Sequence, residues 1–452
     1  MAFAPHQMLT AAELNGLLPS ASAPSWATLA GKFDPATGAY NCNARTLGRF
    51  RQQKARAMAA ADHLHISVLG DSIAMQASLT GPAYKETWPA KMRDYLLRTL
   101  NLTNCGTGVM PLWMLYEDFS FNTAFPLLSW NQAAGGVLHK ADNMGIFGNN
   151  GVAIHSGASA PFTSMQLNPD SAQMVDEIWV YLMTDASDTL VEVTDGSATY
   201  KFQIPTYYGA TPTALSGYTV VPCRDGYVRA PDPATQGGMR VARLNVPRQN
   251  NWTVKVLSKP NAVTYMTMIE AKDSNGGLRV SNLAQGGMSL SGLISASDDF
   301  SGLGGMAQGV DAVNADLAII ALMTNDWMGH TSVADFKAKL ITLVQRQQHW
   351  AGPTTPSGSG IGAAGDVLLL ISPTPDLTRF PAAGGNVPSN DLYMRAMYEV
   401  ADETDVALVD QTWRWKTYQE NVPLYRDGDG VHPNTSGHAD IGLSVGAILA
   451  GI

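Results

Sequence analysis

The sequence predicts an α/β protein: a three-layer αβα domain that is interrupted by a β-sandwich and preceded by an N-terminal appendage. In the outer parts of the chain, continuous apolar segments alternate with segments of helical periodicity, as in a parallel sheet covered by helices on both faces. In the middle, apolar and polar residues alternate and helix signals are scarce. We therefore expect an appendage at 1–60, an α/β domain in two parts at 61–119 and 276–452, and an inserted β-domain at 120–275.

Length, charge and apolar content limit the class of protein. At 452 residues the chain exceeds one ordinary domain, and two or three domains are expected. Its 38 acidic residues outnumber 29 basic ones and no basic cluster stands out, so we expect no nucleic-acid partner. No apolar run reaches the ~18 residues of a membrane helix, so we expect no membrane insertion. Three cysteines are too few for a disulfide framework, and we expect buried free thiols.

The appendage is expected to contain two helices. Thr10 and Glu13 have the spacing of a capping box for a short helix that ends near Leu18. A second helix with a basic face is predicted over 44–61. The first residues of the chain lack the basic-then-apolar pattern of a signal peptide.

The first part of the α/β domain begins with an apolar strand over 65–69 that runs into Gly70-Asp71-Ser72. Glycine permits a tight turn, so this segment presents the serine at the end of a buried strand. The next helix is predicted near 87–100, where large apolar side chains recur every three or four residues.

The second part of the α/β domain continues the alternation of strand and helix. Strands are predicted at 317–323, 366–371 and 406–409, and helices at 333–348, 390–403 and 436–449. Catalytic groups in such sheets gather at the carboxyl ends of the strands, so the residues that follow each strand are the candidates for a site.

The middle segment is predicted to consist of short antiparallel strands. Asp195-Gly196 lies between two alternating segments and is a strong signal for a hairpin turn. From Trp252 to Val256, apolar residues alternate with polar ones. Two antiparallel sheets packed face to face, as in a β-sandwich, account for this pattern.

Two short motifs at opposite ends of the chain carry the chemistry. Ser72 follows the first strand of the α/β domain, whereas Asp429 and His432 stand three residues apart just before the last helix. A serine hydroxyl is a poor nucleophile at neutral pH and needs a base, and the base needs an acceptor that orients it. Ser72, His432 and Asp429 supply these three parts.

Two further segments offer hydrogen-bond donors for an oxyanion. Gly286 and Gly287 follow Asn282 after a predicted strand, and Asn325 follows the strand at 317–323. Glycine lets a backbone N–H approach a developing negative charge, and an asparagine amide can add a second donor.

In this order and context, the four motifs resemble those of the SGNH (GDSL-type) hydrolase family, over residues 62–115 and 278–452. The resemblance implies a flavodoxin-like αβα fold for the α/β domain. It assigns the nucleophile to Ser72, the base to His432 and the orienting acid to Asp429.

The resemblance also implies an oxyanion hole. Its donors fall on the backbone of Ser72, on Gly287 with Gly286 as the alternative, and on the side chain of Asn325. The third motif of the family usually begins with glycine, where this chain has Met323. A larger residue there is expected to reshape the acyl pocket without removing a catalytic group.

Residues beside these motifs are candidates for other roles. Asp71, Gly286 and Trp327 are expected to contact substrate, whereas Asp326 is expected to hydrogen-bond nearby backbone. A competing serine, Ser444, lies in a G-x-S-x-G pattern, but neither an acid nor a histidine follows it as an α/β-hydrolase requires. We therefore interpret that pattern as a small-residue face of the last helix.

The resemblance implies a serine esterase that removes O-acetyl groups from a bacterial surface polysaccharide or peptidoglycan, with no metal or cofactor. The insert resembles, in placement, the accessory β-domains of bacterial O-acetylesterases, and we expect it to be jelly-roll-like. No long apolar stretch suggests a lid for lipid chains. A short-chain carboxylesterase or thioesterase and a non-catalytic glycan-binding tail module remain alternatives.

The expected partner is an acetylated glycan, and a homo-oligomer or a phage-tail assembly is left open. We expect the protein to act outside the cell or at the cell envelope, and association with a virion is left open.

Overall fold

The computed structural model describes most of the chain in separate ranges. These are residues 32–75, 85–111, 128–131, 137–140, 152–156, 163–167, 174–183, 188–205, 212–227, 239–250, 252–258, 264–294, 313, 315–348, 365–377, 390–425 and 429–452. The helix predicted to end near Leu18 lies outside these ranges.

A central sheet organises the outer parts of the chain. Its strands are β1 (Phe33–Asp34), β2 (Ala39–Tyr40), β3 (His63–Gly70), β17 (Gly277–Asn282), β18 (Leu317–Ala321), β19 (Asp366–Ile371) and β20 (Ala407–Asp410). Their order across the sheet is β1-β2-β20-β19-β18-β3-β17. From β17 to β20 the neighbouring strands pair in parallel, which confirms the predicted parallel sheet.

Helices connect and cover these strands. They are α1 (Gly48–Met58), α2 (Ser72–Met75), α3 (Trp88–Thr99), α4 (Leu290–Leu293), α5 (Thr324–Met328), α6 (Val333–Gln348), α7 (Asn390–Glu403), α8 (Gln411–Trp415) and α9 (Thr435–Gly451), with 3₁₀ turns at Tyr418–Glu420 and Val422–Leu424. Within the described ranges, no helix combines the length and apolar character needed to cross a membrane.

The strands of the sheet are apolar along their length because helices cover them. All five residues of β18 are buried, and all but the first residue of β3 are buried. Helix α1 packs on β3, while α6 and α7 pack on β19. Their side chains join one apolar core, which is what a near-continuous hydrophobic strand pattern requires.

The predicted boundary at residue 60 does not coincide with a structural boundary. Strand β2 pairs antiparallel with β20 and so covers that edge of the sheet. In the adjoining segment, the side chains of Leu47 and Phe50 are fully buried in the core of the α/β domain. Residues 33–58 therefore extend the α/β domain, because an edge strand and an apolar helix face need partners that an independent appendage would not have.

The last helix lies against α3 through small residues. A Cβ atom at Gly442 would lie 2.6 Å from the carbonyl oxygen of Trp88, and one at Gly446 would lie 2.9 Å from the ring of Tyr95. These contacts confirm that the G-x-S-x-G pattern around Ser444 is a packing face of α9. Ser444 lies inside this helix and not in a strand-to-helix turn, which agrees with its rejection as a nucleophile.

Two further sheets lie between β3 and β17 in the chain. One contains β5 (Leu128–Asn131), β8 (Thr163–Leu167), β10 (Thr189–Thr194), β11 (Thr199–Ile204), β12 (Thr219–Val220) and β15 (Trp252–Ser258). The other contains β4 (Gly106–Pro111), β6 (Val137–Lys140), β7 (Val152–Ser156), β9 (Val175–Met183), β13 (Cys223–Tyr227), β14 (Met239–Gln249) and β16 (Thr264–Lys272).

A second apolar cluster contains residues of both of these sheets. Val191 and Val254 come from the first sheet, and Ile178 and Ala242 come from the second. The hairpin between β10 and β11 turns at Asp195 and Gly196, as the sequence predicts. Alternate residues of β10 are buried, which is the burial pattern of a strand with one face on a core.

The chain leaves and re-enters the central sheet at neighbouring positions. The N–H of Cys105 donates to the carbonyl of Leu278 at 3.1 Å, and the N–H of Leu278 donates to Thr103 at 2.9 Å. Strand β4 follows at once and pairs with β16. The second sheet therefore begins near residue 106, before the predicted boundary at 120, because β4 pairs with a strand from the far end of the insert.

A buried ion pair lies where the central sheet meets the second sheet of the insert. Arg279 on β17 contacts Glu270 on β16 at 2.7 Å, and both side chains are almost fully buried. Arg279 also donates to Nδ1 of His65 at 3.2 Å, so the other ring nitrogen carries the hydrogen that bonds Ser281 at 2.7 Å. Burial, together with the charge of Arg279, holds the pKa of His65 well below its usual value, and the ring is neutral.

Removing one partner of this ion pair is expected to destabilise the protein more than removing both. We expect Arg279→Leu to cost about 3–5 kcal/mol, because Glu270 would remain buried without its paired guanidinium. The double variant Arg279→Leu/Glu270→Leu should lose less. Urea titration of the free energy of unfolding tests this, and a double variant that is less stable than Arg279→Leu contradicts it.

Candidate active site

The end of β3 presents Ser72 through a short turn. Asp71 accepts the N–H of Ile73 on its side chain at 2.9 Å, and its carbonyl accepts the N–H groups of Ala74 and Met75 at 3.1 and 3.0 Å. Helix α2 therefore starts directly at Ser72, whose own N–H has no acceptor among the described residues. The serine is half-buried, with its hydroxyl at the carboxyl end of a central strand.

Ser72, His432 and Asp429 form one hydrogen-bonded series. Nε2 of His432 lies 2.8 Å from Oγ of Ser72, and Nδ1 lies 2.6 Å from Oδ2 of Asp429. A carboxylate only accepts, so Nδ1 carries the hydrogen and Nε2 is free to accept the serine proton. The structure thus brings together the three residues that the sequence assigns to nucleophile, base and acid.

Asp429 is held as a carboxylate by the backbone of its own loop. Its Oδ1 accepts the N–H of Val431 at 2.6 Å and that of His432 at 2.9 Å. Partial burial alone would raise the pKa of Asp429, but these hydrogen bonds and the one from the His432 ring hold it below its usual value. The negative charge therefore persists at neutral pH and orients the imidazole.

The loop that carries His432 is anchored at both ends. Asn434 caps α9 by accepting the N–H of Gly437 at 3.0 Å, and its amide donates to the carbonyl of Tyr425 at 3.0 Å. The N–H of Asp376, after β19, donates to the carbonyl of Gly430 at 2.7 Å. These contacts fix the backbone on both sides of the histidine.

The hydroxyl of Tyr425 adds a further support by donating to the carbonyl of Thr374 at 2.6 Å. Sequence reasoning missed this loop after β19. Its contacts with the histidine loop use backbone groups and one tyrosine, and no local motif predicts such pairing.

The glycine segment after β17 leaves the N–H of Gly287 available to a ligand. Gln285 donates to the carbonyl of Gly70 at 3.0 Å, Gly286 to the sulfur of Met75 at 3.0 Å, and Met288 to Gln285 at 3.2 Å. The N–H of Gly287 has no acceptor among the described residues. Gly287 also has φ +73°, which favours glycine, and it is exposed. Of the two glycines that the sequence offers, the structure favours Gly287.

Asn325 lies at the start of α5, just after β18. One hydrogen of its Nδ2 bonds the carbonyl of Met288 at 3.0 Å, which leaves the second hydrogen for a ligand. Met323, in the position where glycine is usual, is 3% exposed and belongs to the apolar core. Its side chain therefore packs inward, and the expected reshaping of an acyl pocket finds no support.

The expected substrate contacts of Asp71 and Trp327 disagree with the structure. Their side chains are 1% and 4% exposed, so they lie in the interior. Asp71 instead closes the turn before Ser72, and Trp327 packs in the core of the α/β domain. Gly286 is half-buried beside Gly287, with its N–H on Met75.

Another histidine, His438, supports the site from within α9. Burial lowers the pKa of His438 to about 3, so its ring is neutral and Nδ1 accepts the N–H of Trp88 at 3.1 Å. This contact joins α9 to the start of α3. In the part of the chain that the structure describes, no group of three or more His, Cys, Asp or Glu side chains is arranged to hold a metal ion.

Residues 260–439 match the sequence profile of the GDSL-like lipase/acylhydrolase family. The matched range contains Asn325, Asp429 and His432, while Ser72 lies before it. The resemblance seen in the sequence motifs is thereby confirmed. No curated protein matches the chain.

One solved structure is similar in fold to most of the chain. A peptidoglycan O-acetylesterase is similar over 90% of this chain and 95% of that chain, at 15% identity and a TM-score of 0.58. This likeness shows the mixed α/β fold of SGNH hydrolases.

Smaller esterases match a smaller share of this chain. The match to the lipase/acylhydrolase from Enterococcus faecalis covers 39% of this chain and 77% of that protein's chain, at 18% identity and a TM-score of 0.28. The match to Est24, a carbohydrate acetylesterase from Sinorhizobium meliloti, covers 38% of this chain and 79% of the Est24 chain, at 17% identity and a TM-score of 0.30.

The buried carboxyl of Asp71 makes stability depend on pH in a predictable direction. Burial, aided by the charge of Asp326 and opposed by the hydrogen bond from Ile73, raises the pKa of Asp71 from 3.8 to about 7. The unfolded chain therefore releases this proton at lower pH than the folded chain. The contribution of the Asp71 carboxyl to the free energy of unfolding is fully present below about pH 4 and is lost as the pH rises to about 7.

Replacement of Asp71 by Asn should remove the loss of stability that occurs between about pH 4 and pH 7 in the wild type. The amide oxygen can still accept the N–H of Ile73, and no charge is buried at high pH. We expect Asp71→Asn to raise the stability relative to wild type at pH 8 and to raise it less, or not at all, at pH 4. Denaturant titration at both pH values tests this, and an equal difference at both contradicts it.

Proposed function

We propose that the protein is a serine esterase that removes O-acetyl groups from a bacterial surface polysaccharide or peptidoglycan. The hydrogen-bonded series from Asp429 through His432 to Ser72 carries this proposal. These three groups have the order and spacing that acyl transfer by a serine requires. The family match supports an acylhydrolase, and the acetylated glycan is the substrate class we infer.

The reaction proceeds in two acyl-transfer steps. Oγ of Ser72 attacks the ester carbonyl while Nε2 of His432 takes its proton, and Asp429 stabilises the resulting imidazolium. The tetrahedral intermediate collapses when His432 returns the proton to the leaving sugar oxygen, and an acetyl group remains on Ser72. Water, deprotonated by His432, then attacks the acetyl-enzyme. His432 returns the proton to Oγ of Ser72 as the bond to that oxygen breaks, and acetate is released.

The negative oxygen of each intermediate needs donors that are already in place. The N–H groups of Ser72 and Gly287, and the second amide hydrogen of Asn325, are the donors we assign to it. Loss of a single such donor typically lowers the rate by about 10²–10³.

The inserted sheets favour a glycan over a lipid substrate. We infer that they form one β-sandwich domain, because buried residues from both sheets share one apolar cluster. A peptidoglycan O-acetylesterase matches this chain over 90% of its length, so the similarity extends beyond the α/β domain. This shared architecture supports a related substrate class.

A short-chain carboxylesterase or thioesterase is the second candidate. Met328 and Leu377, which follow β18 and β19 on the side of the sheet where Ser72 lies, are 36% and 46% exposed. Exposed apolar side chains at this edge would suit a longer acyl chain.

Acyl-chain preference and dependence on Ser72 test the proposal together. We expect rapid hydrolysis of p-nitrophenyl acetate, slower hydrolysis of the butyrate and octanoate, and release of acetate from O-acetylated peptidoglycan or polysaccharide. Ser72→Ala should lower the rate at least about 10³-fold because the nucleophile is lost. Ser444→Ala, which changes the serine of the rejected G-x-S-x-G pattern, is the control and should leave the rate unchanged.

Each alternative has its own outcome in this assay. A preference for octanoate favours the second candidate, and activity that survives in Ser72→Ala rejects the serine mechanism. Glycan binding by a wild-type protein that cleaves no ester supports a non-catalytic module.

Asp429 should matter through the tautomer of His432. In Asp429→Asn, the amide can present N–H to Nδ1 and favour the tautomer whose Nε2 carries the hydrogen, so Ser72 loses its base. We expect kcat to fall by about 10⁴-fold with little change in thermal stability. A fall of less than about tenfold would remove Asp429 from the mechanism.

A further inference from the structure

Two consecutive residues after β18 hold the segment that carries Gly287. Asn325 donates to the carbonyl of Met288 at 3.0 Å, one residue beyond the glycine. Asp326 accepts the N–H of Leu290 at 2.7 Å and that of Ser291 at 3.4 Å, at the start of α4. The glycine loop, defined here as residues 285–291, is therefore bound by the same turn that supplies the Asn325 amide.

Asp326 is suited to hold a backbone in place. Its side chain is 0% exposed, so both oxygens are used inside the protein and water does not compete for the N–H groups. Hydrogen bonds from backbone N–H to a carboxylate are about twice as strong as those between neutral groups. The turn itself is fixed because the N–H of Thr331 donates to the Asp326 carbonyl at 2.9 Å.

Gly287 lacks contacts of its own that would set its orientation. It has no side chain, it is exposed, and its N–H has no acceptor in the described ranges. Its neighbours are instead tied down: Gly286 bonds Met75 on one side, and Met288 and Leu290 bond the turn after β18 on the other. The direction of the Gly287 N–H is therefore set by contacts of the flanking residues.

We propose that Asp326 is a positioning residue for acyl transfer, which holds the glycine loop so that the Gly287 N–H points at the oxyanion. This inference rests on the esterase function proposed above. Donors to an oxyanion are effective only when they are in place before charge develops, so a small displacement of the loop weakens the transition state more than the bound substrate. Asp326 holds the glycine loop without touching substrate.

The first test is Asp326→Asn. The amide has the same shape but only one acceptor oxygen, so one of the two N–H groups of Leu290 and Ser291 loses its acceptor. We expect kcat for p-nitrophenyl acetate to fall about 10–100-fold while KM changes less than about threefold. A kcat within twofold of wild type, in a variant that remains folded, overturns the proposal.

The pH profile separates positioning from a direct effect of charge. Other charged groups near this carboxyl are Asp71, Asp335 and Lys339, which bonds Ser291 at 3.0 Å. If Asp326 acted through its charge on His432, its loss would move the midpoint of the kcat/KM profile. For Asp326→Asn we expect the pH profile of kcat/KM to have a lower plateau and the same midpoint as wild type. A shifted midpoint with an unchanged plateau overturns the proposal.

Two further variants control for charge and folding. Asp335→Asn removes a more exposed carboxylate that lies near the Ser291 hydroxyl but accepts none of the loop N–H groups, and its kcat should match wild type. Asp326→Glu keeps the charge but displaces both acceptors by one methylene, and its kcat should fall as well. If Asp326→Asn does not fold, Asp326→Glu decides alone: full kcat overturns the proposal, and reduced kcat with unchanged KM supports it.

Failure of the esterase proposal would look different. In that case wild type and Asp335→Asn would cleave no ester. Failure of the positioning role leaves wild type active and the variants of Asp326 equally active.

Discussion

Parallel pairing between β3 and its two neighbours is the constraint from which the site follows. Ile66 and Val68 of β3 lie beside Leu317 and Ile319 of β18, so the two strands end at the same edge of the sheet. Ser72 and Asn325 come directly after those ends, although more than half of the chain separates them. In a parallel sheet this convergence needs no further device, because every strand delivers its following residue to the same side.

Burial around this edge of the sheet separates the polar residues that are open to a ligand from those that only hold the backbone in place. Asp71 and Asp326 are almost fully buried, and each accepts backbone N–H groups next to a residue assigned to the reaction. Ser72 and Gly287 stay accessible and keep an N–H without an acceptor in the described ranges. The polar groups of this site thus divide into those whose hydrogen bonds are made within the fold and those that are left for a ligand.

Much of this arrangement can be predicted from local signals. The strands and helices around Ser72 and the Asp429–His432 pair have strong periodicity, and the motif order points to a known family. Burial is harder to predict, because Asp71 and Trp327 lie next to catalytic positions in sequence and yet face the interior. The same limit applies to β1 and β2, which have two residues each: β2 pairs with the edge of β20, and β1 pairs with β2. The motif order already points to Gly287 before Gly286, and the structure adds a physical reason, because the N–H of Gly286 is used on the sulfur of Met75.

The side-by-side exit and re-entry of the chain at Cys105 and Leu278 also bears on how the protein folds during synthesis. Strand β3 emerges from the ribosome long before its partners: Arg279 of β17 pairs beside His65 across a separation of 214 residues. Through that interval the insert can form its own antiparallel pairs, and pairing of β4 with β16 brings its two ends together. Once it has folded, the insert shortens the effective loop between β3 and β17, so the entropy of closing that loop is greatly reduced. The segment between β3 and β17 then also aids folding, since it brings β17 to the edge of β3, which would otherwise lack a partner on that side.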